Sequence, residues 1–352
     1  MENKETHNKE SHEDAQKISQ KIGVILMTYG SATTAEGVRE YMDHIYRGKA
    51  PEGVVEDFEN RYRLVGHSPL VVITEKQASA LEDFLNKKKS DGKTAKKSDT
   101  IFIVRAGMLH SKPFIETAIR ECKDAGAEQL QGIILSPQFS SFIMDGYRGI
   151  FSRAAGGCGF AEGQFSVASP WPTEPHFIRL LAEHICTARA KIQEKFAVAG
   201  QPDMSIPIIF TTHSLPKRVV DKDPAYLQQL KATTDAVLAE LNDTNLQWHS
   251  AYQSAGHTPE EWLKPDLTDI LAKLSEISRK KRKMSKTSKL STQASPAVLI
   301  APIQFLTDHL EILYDLDIAA RKQCEDFGIA YHRIELPNTD LLFIEALADL
   351  IQ

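Results

Sequence analysis

The sequence predicts an α/β fold: two Rossmann-like lobes, each a parallel sheet flanked by helices, with a cleft between them. Three observations carry this reading. Apolar runs of strand length alternate with segments of helical periodicity along the chain. The alternation repeats with similar design in both halves, and 352 residues suit two compact units better than one very long sheet.

In chain order, strands are expected at 22–28, 101–105, 131–136, 206–211 and 298–302, rich in apolar residues as the strands of a covered parallel sheet are, and 247–251 is also strand-like. Helical patterns fill 74–85, 113–125, 175–196, 226–241 and 307–327. Pro172 and Pro175 break the chain before the third of these helices, which sets the lobe boundary near 171–175. The expected units are therefore an N-terminal lobe at 21–174 and a C-terminal lobe at 175–337. The amphipathic end, 338–352, should pack back on the lobes as a helix. Residues 1–20 are polar, of mixed charge and without an apolar signal core, so they read as a flexible extension.

Composition removes several function classes. A formal net charge of −5 provides no overall basic field for nucleic acid. No run of about eighteen apolar residues is present, so no transmembrane segment is expected and the protein should be cytoplasmic. Cys122, Cys158, Cys186 and Cys324 stand far apart with no C-x-x-C pair, which indicates neither a disulfide framework nor a local zinc knot. Two basic stretches, 87–98 and 279–291, read as solvated loops, with docking to an anionic membrane or a partner as the sharper alternative.

Chemistry concentrates at strand ends. The run 206–212 delivers His213, and ligands gather at the carboxyl ends of parallel strands. An imidazole with an ordinary pKa near 6.5 can accept a proton or bind a metal there. Glu311 and Asp315, four apart in an expected helix, form a short acidic row able to hold a cation or simply to stay solvated. Residues 252–266 mix turn formers with Trp262 and read as a shaped loop. The first strand runs into Tyr29, Gly30 and Ser31, where a doubly wound fold meets its ligand, but no phosphate-binding glycine pattern follows.

Taken together, segments in a fixed order carry a resemblance: 27–30 (MTYG), 67–70 (HSPL) with 73–77 (ITEKQ), 135–141 (LSPQFSS) with Gly146 and Tyr147, 212–216 (THSLP), 253–259 (QSAGHTP) with Trp262 and Leu263, and 305–311 (FLTDHLE) with Tyr314 and Asp315. From about residue 21 to the C-terminus the chain resembles the ferrochelatase family, and 41–48 with 57–62 is similar to its soluble Gram-positive branch. That resemblance implies a chelatase-like fold and a lyase that inserts Fe(II), its substrate, into a porphyrin during haem biosynthesis. Coproporphyrin III is favoured and protoporphyrin IX is the second candidate. It further implies His213 and Glu311 as the catalytic pair, with Asp315 joining them toward metal. Tyr29 would lie on the opposite face of the macrocycle, and Arg47, Arg61, Ser68, Gln77 and Tyr147 would make porphyrin contacts.

Tyr46 and Leu109 stand where basic or polar residues are common in that branch, and Ala319 ends the acidic row. The cysteine spacing does not reproduce that of cluster-bearing relatives, so no iron–sulfur cluster is expected. A monomer is expected, with haem-pathway proteins as further partners. The rival readings are a cobalt or nickel chelatase acting on another tetrapyrrole, and a non-catalytic haem or porphyrin carrier.

Overall fold

The computed structural model describes residues 19–87, 100–200, 205–256, 258–285 and 296–351. Nearly all of the expected N-terminal extension, 88–98 of the first basic stretch, 286–291 of the second and His257 lie outside the described residues; 279–285, expected as loop, instead continue the helix that begins at Leu267.

The first sheet contains β1 (Lys21–Thr28), β2 (Ile101–Met108), β3 (Gln129–Ile134) and β4 (Phe165–Val167). The second contains β5 (Ile208–His213), β6 (Trp248–Gln253), β7 (Ala297–Pro302) and β8 (Ala330–Arg333). Their orders are β2-β1-β3-β4 and β6-β5-β7-β8, all pairs parallel. The two sheets therefore share one topology, in which the first strand of each is flanked by the second and the third. The chain leaves β1 and β5 at the point where strand order reverses, the place where such sheets open a crevice. Burial of Val24, Ile25, Leu26 and Met27, and of all six residues of β7, explains the unbroken apolar runs. The strands β4 and β8 have no counterpart in the sequence reading, because three- and four-residue edge strands with mixed exposure show no period.

Helices cover the sheets: α1 (Val38–Tyr46), α2 (Glu52–Val65), α3 (Leu70–Lys87), α4 (Ile115–Asp124), α5 (Ser141–Gly157) and α6 (Pro175–Val198). Then follow α7 (Lys217–Lys222), α8 (Ala225–Leu241), α9 (Leu267–Ser285), α10 (Arg321–Phe327) and α11 (Leu341–Asp349). Pro175 starts α6, and the Glu174 carboxylate caps it by accepting from the backbone N–H of His176 and Phe177 at 3.0 and 2.7 Å. The C-terminal helix α11 packs against α3 and α6 through fully buried Phe343 and Leu347. None of the described helices is long and apolar enough to cross a membrane.

One expected helix differs in kind. Between Leu310 and α10 the chain winds as a π-helix over Ile312–Ala320. Its backbone bonds close over five residues rather than four, and an apolar pattern only nine residues long cannot distinguish the two pitches. This segment joins the two lobes. Buried Leu310 and half-buried Tyr314 pack into the cluster of Ala32, Val38, Met42, Val55 and Tyr62 beside the end of β1.

Candidate active site

His213 is the last residue of β5, and its position is fixed through the main chain. Its N–H donates to Gln304 Oε1 at 2.8 Å, and the Tyr226 hydroxyl donates to its carbonyl at 2.8 Å. The ring is fixed separately. Nδ1 stands 2.5 Å from the Ser214 carbonyl, so Nδ1 carries the proton and Nε2 is the face offered to the cleft. There Glu311 Oε2 approaches Nε2 at 3.5 Å.

A second imidazole, His309, brings Nε2 to 3.7 Å from the same oxygen, while its Nδ1 contacts the Thr307 carbonyl at 3.0 Å. Glu311 thus lies between two imidazoles. Burial alone would raise its pKa, but the charge and hydrogen bond of His213, then those of His309, hold the carboxylate well below the usual range. For His213 burial opposes protonation, and Glu311 together with the Ser214 carbonyl and Asp315 outweighs it, so its pKa is raised above 6.5.

Asp315 continues the acidic row, as its spacing from Glu311 suggested. Its Oδ2 accepts the Ser254 hydroxyl at 2.5 Å, and its Oδ1 lies 3.6 Å from the Arg61 guanidinium. Burial raises its pKa, supported by Glu311 and opposed by Ser254, Arg61 and His213. Ser254 reaches it from a left-handed conformation (φ 56°) just after β6, in the loop marked out in the sequence. That loop folds on Trp262: a Cβ at Gly256 would stand 2.7 Å from the indole ring, so only glycine lets the backbone approach this closely.

The opposite wall grows from β1. Gly30 has φ +92°, and a Cβ there would meet Ser111 Oγ at 2.5 Å, so glycine brings the end of β1 against residues 109–111. The N–H of His110 donates to the Tyr29 carbonyl at 2.9 Å, and the two rings lie 4.5 Å apart. His110 Nδ1 is 3.0 Å from His44 Nδ1, so one imidazole donates to the other. Burial, then the neighbouring His44, lowers the His110 pKa to about 4. Tyr29 keeps 44% of its surface exposed, and burial of its hydroxyl followed by the charge of Glu311 raises its pKa to about 12. Leu310 and Tyr314, which flank Glu311 in the chain, pack with Ala32 just past β1, and this brings the Glu311 segment near Tyr29.

The remaining sequence candidates separate. Arg61 is brought to the acidic row, where it bridges Asp57 at 2.9 Å and Asp315 and lies 4.9 Å from the Tyr314 ring. Arg47 caps the end of α1 with φ 53° and is exposed; among the described residues its side chain has no hydrogen-bond or ion-pair partner. Ser68 is buried under the Tyr29 loop, accepting from Ser31 Oγ at 2.9 Å. Tyr147 is buried in the cluster that includes Met27 and Met144, and burial and then Tyr29 raise its pKa strongly. Gln77 is fully buried and donates to the Asn338 carbonyl at 2.6 Å, so in this conformation its amide ties α3 to the C-terminal segment instead of lining an open wall. The sequence reading assigned no role to His309, Ser254, His44 or His110. His309 inside the 305–311 motif, Ser254 inside 253–259 and His44 inside 41–48 had a signal that could have found them, whereas His110 lies outside every such segment.

With this geometry in place, the comparisons decide the family. A sequence model described as Ferrochelatase matches residues 21–352. The chain belongs to the ferrochelatase family. It is a lyase of haem biosynthesis whose reaction is insertion of Fe(II) into a porphyrin. A coproporphyrin III ferrochelatase from Halalkalibacterium halodurans is 35% identical over 334 residues, covering 94% of this chain and 96% of that protein. Another from Geobacillus kaustophilus is 31% identical over 336 residues, covering 95% and 96%. Among solved structures, SirB from Bacillus subtilis with Fe3+ superposes with a TM-score of 0.51 at 8% identity, covering 94% of each chain, which supports the two-lobe fold alone.

Proposed function

We propose that this ferrochelatase acts on coproporphyrin III in the cleft between lobes 21–174 and 175–337, with His213 and Glu311 as its catalytic pair. What carries the reading is the 3.5 Å approach of Glu311 Oε2 to the cleft-facing Nε2 of His213. Insertion releases two pyrrole protons and requires Fe(II) to shed water. With Nδ1 turned to the Ser214 carbonyl, neutral His213 directs the Nε2 lone pair at the macrocycle, takes one pyrrole proton and passes it by way of Asp315 to solvent, so that the same nitrogen can take the second. Glu311 stays ionised and stabilises the imidazolium that results.

Before that proton moves, the same Nε2 and the carboxylates of Glu311 and Asp315 offer the mixed nitrogen and oxygen donors that suit incoming Fe(II). Tyr29 covers the opposite face as a protonated phenol. Arg47 is free to pair a propionate, Arg61 sits at the acidic row, and buried Ser68 and Tyr147 support the wall of Tyr29, while Gln77, tied to Asn338, would reach the porphyrin only by changing partner. The named substrate of the relatives at 35% and 31% identity supports coproporphyrin III over protoporphyrin IX. We also read the protein as a cytoplasmic monomer without an iron–sulfur cluster, open to haem-pathway partners, with residues 338–352 closing back on both lobes.

The test is an anaerobic insertion assay pairing Fe(II), Co(II) and Ni(II) with coproporphyrin III, protoporphyrin IX and sirohydrochlorin. The highest kcat/KM is expected for Fe(II) with coproporphyrin III. Preference for sirohydrochlorin with Co(II) or Ni(II), or porphyrin binding without turnover for every pair, would sink this reading.

A further inference from the structure

Outside the cleft, the start of α6 meets the end of α11, and three side chains converge there. His176 Nδ1 lies 3.4 Å from Glu174 Oε1 and 3.2 Å from Asp349 Oδ2, and one donor atom from each residue falls within 4.8 Å of the others. Although two carboxylate oxygens flank it, Nδ1 is sealed from solvent and makes no hydrogen bond. Neither oxygen lies along the ring's N–H direction, so as a proton donor this nitrogen is poorly served.

As a lone-pair donor it is well served. An ion held by bonds of about 2.1 Å separates its ligand atoms by roughly 3.4 Å in tetrahedral geometry and roughly 3.0 Å in octahedral geometry. The two observed separations fall within that range. The nearly buried Glu174 carboxylate is held in place by the backbone N–H groups it caps. Glu345 Oε2 faces the other ring nitrogen of His176 at 3.7 Å, on the side from which a metal-bound imidazole is usually oriented by a carboxylate. Asp349 stands at the C-terminal end of α11, where the helix dipole favours a cation; the opposing dipole of α6 is already met by Glu174.

We propose that Glu174, His176 and Asp349 form a second metal site, separate from the cleft, that takes one divalent transition-metal ion and clamps α11 onto α6. One imidazole and two carboxylates suit Zn(II), Co(II) or Fe(II) better than Mg(II) or Ca(II), and two carboxylates balance the charge. Because α11 also packs on α3 of the other sheet, the ion would lock the seam between the lobes.

The experiment uses the full chain carrying His213→Ala and Glu311→Gln, which disables the cleft, stripped by chelation and titrated with Zn(II) by calorimetry alongside thermal melts. One Zn(II) per chain and a higher melting temperature with Zn(II) are expected. Adding His176→Ala or Asp349→Asn should weaken binding at least tenfold and abolish the thermal shift. Asp349 is about half exposed, so its variant should keep the metal-free melting temperature and isolate ligand loss from misfolding. Absence of stoichiometric Zn(II) binding, or equal binding and thermal shift in both added variants, would overturn the site.

Discussion

The two walls of the cleft each present a histidine at the carboxyl end of a parallel strand, and they give the two rings opposite acid–base character. His213, ending β5, faces Glu311, and the carboxylate raises its pKa despite burial. His110, two residues past β2, faces His44, and burial with an imidazole neighbour lowers its pKa to about 4. The residue type is the same and both rings sit at the carboxyl end of a parallel strand, β5 inside its sheet and β2 at an edge. The difference lies in what each ring meets: one wall can store a proton, while the other keeps a neutral imidazole beside a protonated phenol. A reaction that must remove two protons while delivering a cation gains from keeping those two characters apart.

The largest test of this contrast removes the ring proposed as the proton acceptor. His213→Ala should lower kcat for iron insertion by about 10²–10⁴-fold, the range for loss of a general base. Coproporphyrin III affinity, read by fluorescence quenching, should change little, and near-normal turnover would end the assignment.

Next in size, Glu311→Gln keeps the shape and deletes the charge. Insertion should slow by roughly 10–10²-fold as the imidazolium loses its partner. The sign of the accompanying pH effect is fixed. In the native protein the raised pKa puts the acid limb of kcat/KM above pH 6.5, because His213 must be neutral to take a proton. In the variant burial remains and Glu311's charge is gone, so the limb should move downward. The ion pair's contribution to stability follows the same logic: for His213 it is complete below pH 6.5 and fades as pH rises through the raised value. For Glu311 it is present above its ordinary value of 4.5 and lost only in strong acid. A proton NMR titration of the His213 ring, unchanged between the two forms, would contradict this account.

Gly30→Ala should cost about 1–3 kcal/mol in urea unfolding, since a Cβ there meets Ser111 and the backbone is left-handed. It should also weaken porphyrin binding by displacing Tyr29; an unchanged urea midpoint would show that the loop can relax. The smallest effect belongs to the opposite wall. In His44→Ala the His110 pKa should rise from about 4 but stay below 6.5, because burial, its larger cause, persists. A value that does not move would mean that His44 contributes nothing to the neutral wall.

Local order decided what the sequence alone could determine. The apolar runs of β1, β5 and β7 are legible because a strand covered on both faces must be apolar along its length. His213 falls at a strand end for the same local reason, and the motif order identified the family. Tertiary packing decided the rest. Whether Glu311 meets His213 depends on how a π-wound segment docks between the lobes, and that pitch leaves no mark in nine residues. Packing also turned Arg61 toward Asp315, buried Gln77 against Asn338, paired His44 with His110 and gathered Glu174, His176 and Asp349. Side-chain periodicity records which face of an element is covered. It carries no information about which distant element does the covering, and the acid–base character of each site is set by that distant neighbour.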